Sequence, residues 1–116
     1  NDVYSLLARV RVNYPIGVLT NIDRGRSRYL INEVKLLEKI DIYLPSFKFK
    51  AIKPKMDLWR LATQEIHNKY GTNIEISYVD DRQTHIDACS EFGWHGVLFS
   101  NIEHLEQQLA DRALLV

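Results

Sequence analysis

Two aspartates, Asp80 and Asp81, stand side by side directly after the apolar run Ile74-Glu-Ile-Ser-Tyr-Val79. Adjacent carboxylates repel each other unless a proton or a cation lies between them. At the end of a strand such a pair suits Mg²⁺, a hard cation that takes oxygen ligands. Either acid would also cap a helix that starts there and complement its dipole. Thr20 and Asn21 close a second apolar run, Ile16-Gly-Val-Leu-Thr20. A hydroxyl and nearby backbone amides in that place could hold a phosphoryl oxygen, and Thr and Asn are equally ordinary helix caps. Lys53 precedes Pro54 at the expected start of another helix. It offers a fixed positive charge to a phosphoryl group. Lys48, Lys50 and Lys55 surround it, so the loop also reads as a solvated basic face.

These residues must be positioned by the elements around them. Apolar spacing predicts helices over residues 2–12, 24–39, 55–70, 82–92 and 102–109, and strands over 16–20, 41–45, 74–79 and 95–99. The strand over 74–79 is expected to be buried. Asn13-Tyr14-Pro15 ends the first helix and Gly71 the third. Strands alternating with helices argue for an α/β fold whose parallel sheet is covered on both faces. Ligands of such sheets bind beyond the carboxyl ends of the strands. The polar residues found there are Thr20, Asn21, Ser46, Asp80, Asp81 and Ser100.

Composition narrows the function classes. A chain of 116 residues fits one domain, 1–116. Fifteen basic and fifteen acidic residues cancel, so no net field favours nucleic acid or an anionic membrane. No apolar run approaches the ~20 residues that cross a bilayer. A lone cysteine, Cys89, excludes an internal disulfide and fits a reducing, cytoplasmic setting. Its apolar neighbours on the helix, Ile86, Ala88 and Phe92, make it a packing residue. The four histidines, His67, His85, His95 and His104, show no zinc-type spacing, and no Gly-rich phosphate loop or dinucleotide fingerprint is present. The first residue is Asn1, and a processed or truncated chain is expected.

In their order, these segments resemble the second, third and fourth motifs of the haloacid-dehalogenase-like (HAD) hydrolases. Ile16-Gly-Val-Leu-Thr20-Asn21 is similar to the second motif, Ser46 to Lys53 with Pro54 and Asp57-Leu-Trp-Arg-Leu-Ala62 to the third, and Tyr78-Val-Asp80-Asp81 to the fourth. Gly93-Trp94 and Val97-Leu98-Phe99 continue the pattern, which covers nearly the whole chain. Phosphoacceptor receiver domains use a similar residue set in a different chain order. The departures are Lys48, Lys50 and Lys55 in the third motif and His85 where an asparagine is usual. The first motif, an Asp-x-Asp segment after an apolar strand, has no counterpart before Thr20.

The resemblance implies a three-layer α/β/α Rossmann-like core lacking its first central strand. It implies a Mg²⁺-dependent phosphohydrolase acting on a small phosphorylated substrate through an aspartyl-phosphate. Thr20, Asn21 and Lys53 would be catalytic, Asp80 and Asp81 would hold the metal, and the nucleophile would lie on a segment outside this sequence. The chain by itself is then expected to be inactive. A HAD-fold remnant serving as an interaction module is the alternative. Without the central strand, the strands over 16–20 and 74–79 are expected to pair directly, to borrow a strand from a second copy, or to receive one from an N-terminal segment.

Overall fold

The computed structural model describes residues 2–50 and 55–115 of the chain. In order these form α1 (Asp2–Arg11), β1 (Gly17–Thr20), α2 (Arg24–Asn32), β2 (Ile42–Pro45), α3 (Ser46–Phe49), α4 (Met56–Tyr70), β3 (Ser77–Asp80), α5 (Gln83–Ser90), β4 (His95–Leu98) and α6 (Ile102–Asp111). A 3₁₀ turn, Leu36–Glu38, precedes β2. All four strands fall inside or within one residue of the apolar runs that predict them.

Two expectations change. The helix foreseen over 24–39 stops at Asn32, because Lys35 turns the chain with φ 60°. The turn lets Leu36 and Ile40 reach the core at 6% exposure each, while Leu37 stays 50% exposed. Helical spacing would put Leu37 on the stripe of Leu30 and Val34, and the turn instead presents Leu36 inward and Leu37 outward. The strand foreseen as buried over 74–79 is shorter and only one-sided. Tyr78 points inward and its neighbour Val79 is 37% exposed, as alternation along a strand demands, whereas Ile74, 38% exposed, precedes the strand.

β1 pairs with β2 in parallel, Gly17 opposite Ile42 and Thr20 opposite Pro45. β3 pairs with β4 in parallel, Ser77 opposite His95 and Asp80 opposite Leu98. These are two separate two-stranded sheets, so β1 and β3 do not pair directly. Helix α4 joins them through one core. Leu44 from β2, Trp59 and Ala62 from α4, Tyr78 from β3, Ile86, Ala88 and Cys89 from α5, and Trp94 belong to a single buried cluster. The Trp59 ring meets Tyr78 and Trp94 edge-on, with centroids 5.2 and 5.3 Å apart, contacts worth about 0.5–1.5 kcal/mol each beyond burial. Trp94 donates its indole N–H to Thr63 Oγ1 at 3.0 Å, so the ring is buried without an orphaned donor. A second cluster joins Leu6 and Val10 of α1, Val97 of β4, and Leu105 and Leu109 of α6.

Local chemistry sets the joints. Asp41 accepts the Ile16 N–H at 2.7 Å and the Arg11 guanidinium at 3.1 Å, tying α1 and β1 to the start of β2. The Ile16 hydrogen bond, with help from Arg11, holds the Asp41 carboxyl below its ordinary value of 3.8. Gly71 closes α4 at φ 87°, a conformation that favours glycine. At Gly96 a Cβ would lie 2.6 Å from Ile86 Cγ2, so glycine lets α5 pack against β4. Among the described residues no helix is long and apolar enough to cross a membrane. The architecture is a compact α/β fold of helices and short parallel strands in two small sheets.

Candidate functional site at the strand ends

The direction of α4 decides where the candidate residues fall. Near its C-terminus, Lys69 donates to the Asp41 carbonyl just before β2. At its N-terminus, Lys55 and Asp57 share a cavity wall with Ser46, which follows β2. Helix α4 therefore runs antiparallel to β2. β3 begins after α4 ends, and its Tyr78 packs on Trp59, in the first turns of α4. β3 thus points the same way as β1 and β2. Thr20, Ser46, Asp80 and Asp81 all lie at the end of the fold where polar ligands of parallel sheets bind.

Asp80 is turned inward. Its side chain is 8% exposed and that of His85 is 7% exposed. Oδ2 accepts a hydrogen bond from the Tyr78 hydroxyl and lies 2.9 Å from His85 Nδ1, which donates to it. Oδ1 accepts the Arg82 N–H at 3.0 Å. Three donors thus compensate the burial of this carboxylate. Burial, and then the hydrogen bond to Asp80 and its charge, push the Tyr78 phenol far above its ordinary value of 10.0. Asp81 is exposed. No side chain caps α5, so neither acid acts as the expected helix cap, although Asp80 does satisfy the backbone of the turn.

Thr20 is half-buried at the end of β1, and Asn21 is exposed beside it. Neither caps α2. Asp23 does, accepting the Arg26 N–H at 2.8 Å. Lys53 lies outside the described residues. Ser46, 4% exposed, accepts the Ile22 N–H at 2.9 Å and donates to the Ile22 carbonyl at 3.2 Å. This double link closes the floor of an open cavity of about 600 Å³. Asn21, Asp23, Arg26, Lys50, Lys55 and Asp57 supply its polar lining. Asp80 and Asp81 are not in its wall, so the structure gathers Asn21 with basic residues and leaves the acidic pair apart from that cavity.

Tyr78 and His85 are residues that sequence reasoning passed over as site members. Alternation along the strand was sufficient to put Tyr78 and Asp80 on one face. His85 carried no such mark, because its contact depends on how α5 sits on β3.

Mg²⁺ is bound by one or two carboxylates together with waters and substrate oxygens. Among the described residues no group of three or more His, Cys, Asp and Glu side chains could hold a metal ion. Both oxygens of Asp80 already accept hydrogen bonds in a buried position, which leaves exposed Asp81 as the member of the pair open to a cation.

The fold has a solved counterpart. The crystal structure of an uncharacterized protein from Corynebacterium glutamicum ATCC 13032 Kitasato aligns over 97% of this chain and 81% of that chain, with a TM-score of 0.75 and 20% sequence identity. The likeness is one of fold. No family model and no curated protein matches the sequence.

Proposed function

We propose that this chain is the part of a HAD-like, Mg²⁺-dependent phosphohydrolase that carries the hydroxyl, lysine and acidic elements. In this reading the finer architecture is a three-layer Rossmann-like core, and a carboxylate outside these 116 residues is the nucleophile. The observation that supports the reading is that Thr20 ends β1 and Asp80 ends β3, each strand being read above as antiparallel to α4.

The reaction is phosphomonoester hydrolysis. The carboxylate attacks phosphorus, an aspartyl-phosphate forms as the bond to the alcohol oxygen breaks and that oxygen takes a proton, and water then cleaves the aspartyl-phosphate to inorganic phosphate and the free carboxylate. The Thr20 hydroxyl and the Lys53 ammonium stabilise charge on the transferring group. Asp80 and Asp81 would hold the cation, which would neutralise phosphoryl charge. The substrate is a small phosphorylated molecule. The free cysteine Cys89 accords with a cytoplasmic setting.

The engagement of Asp80 by Tyr78, His85 and Arg82 favours a second reading, in which the acidic pair braces a turn and the chain is a non-catalytic interaction module. Hydrolysis of p-nitrophenyl phosphate by the natural full-length gene product separates the two. The phosphohydrolase reading expects Mg²⁺-dependent turnover, abolished by chelation and lowered on the order of 10²–10³-fold by Lys53→Ala. It also expects no turnover from the 116-residue chain by itself. Absence of metal-dependent turnover in the full-length protein would leave the module reading.

A further inference from the structure

The cavity at the ends of β1 and β2 has a charge pattern that the acidic pair does not explain. Most cations nearby are already engaged. Lys48 lies 3.2 Å from Glu65, and Arg60 lies 3.7 Å from Asp57. The Arg24 guanidinium sits over the Phe47 ring, 4.8 Å from its centroid. The three cations in the cavity wall differ. Arg26, Lys50 and Lys55 have no ion-pair partner among the described residues.

The acids of the same wall offer them little. Asp23 spends Oδ1 on capping α2, and Asp57 faces Arg60. Lys50 closes α3 as its left-handed C-cap at φ 54°. Behind these side chains the Ile22–Ser46 double hydrogen bond makes a rigid floor. The three cations of the wall outnumber its two acids, Asp23 and Asp57, and an excess of one charge around a concave surface focuses the field and attracts the opposite charge.

We infer that this cavity binds a phosphate-class anion through Arg26, Lys50 and Lys55. A further clause rests on the phosphohydrolase reading: the cavity then takes the non-reacting anionic group of a substrate that carries two, such as a small bisphosphate. Arg26 suits two-pronged contact with phosphate oxygens, and the lysines add point charges. The neutral Asn21 amide in the same wall supplies donors without opposing charge.

The test is a calorimetric titration of inorganic phosphate into the full-length protein at low ionic strength. Three proteins are compared: wild type, the triple variant Arg26→Gln/Lys50→Gln/Lys55→Gln, and a control, Lys48→Gln/Arg60→Gln, that removes two cations already paired. The assignment expects binding by wild type and control, weakened about tenfold or more in the triple variant, and weakening with added salt. Circular dichroism confirms that the triple variant is folded. No binding by wild type, or equal weakening in triple variant and control, overturns it.

The substrate clause is read from kcat/KM for 1,3-propanediol bisphosphate against propyl phosphate. A preference for the bisphosphate that is lost in the triple variant supports it, and the lack of any preference in wild type overturns it. Phosphate binding without turnover of either ester sinks the phosphohydrolase reading and leaves the anion site standing.

Discussion

His85 Nδ1 lies 2.9 Å from Asp80 Oδ2, and both side chains are more than nine-tenths buried. The pair joins the end of β3 to the first turn of α5. Removing a donor from a buried carboxylate leaves part of its desolvation uncompensated, a loss of roughly 1–3 kcal/mol and more where the group left is charged. His85→Ala is therefore expected to destabilise the fold by about 2–4 kcal/mol, since Tyr78 and Arg82 continue to donate to Asp80. Urea unfolding followed by tryptophan fluorescence measures this. In a double-mutant cycle with Asp80→Asn, the two losses should be strongly non-additive. Additive losses would show that the contact carries no energy.

Tyr78 leads to a prediction at high pH. Its phenol is pushed up by burial and by the Asp80 hydrogen bond and charge, so the folded state holds this proton more tightly than the unfolded chain does. Its contribution to stability is complete below the ordinary value of 10.0 and is lost as pH rises above that value towards the higher folded one. Tyr78 should be the last of the six tyrosines to ionise in an alkaline absorbance titration. Wild type should lose stability more steeply than Tyr78→Phe over that range. Parallel alkaline unfolding curves for the two proteins would contradict the assignment.

Gly96 is a packing requirement. Its added Cβ would meet Ile86 Cγ2 at 2.6 Å and Cys89 Sγ at 3.3 Å, inside a cluster where Cys89 is wholly buried. Overpacking of this kind costs about 1–3 kcal/mol. Gly96→Ala should lower the urea midpoint accordingly. Combination with Ile86→Ala should cost less than the sum of the two single changes, because the second removes the methyl that the first strikes. A Gly96→Ala protein as stable as wild type would mean that α5 does not rest on β4 as described.

Much of this protein was determined by its sequence. Apolar runs bounded by Gly, Pro and Asn located all four strands, because alternation and chain breakers act within a few residues. The burial of Cys89 and the end of α4 at Gly71 follow from the same local rules. So does the placing of Thr20, Asn21, Asp80 and Asp81 at strand ends.

Tertiary structure decided what depends on partners distant in the chain. The division into two sheets rests on Gly17 meeting Ile42 and Ser77 meeting His95, choices that a periodic pattern leaves open. The turn at Lys35 puts Leu36 inward in place of Leu37, a choice made by packing rather than by helical propensity. Asp80 could be read as an acid at a strand end, but not as a carboxylate held by Tyr78 and His85. That arrangement exists because Gly96 lets α5 approach the sheet. The same is true of the cationic cavity: Arg26, Lys50 and Lys55 are ordinary surface residues in the sequence. Ser46 folds back onto Ile22 and Lys50 takes a left-handed turn, and three separate charges come to face one space.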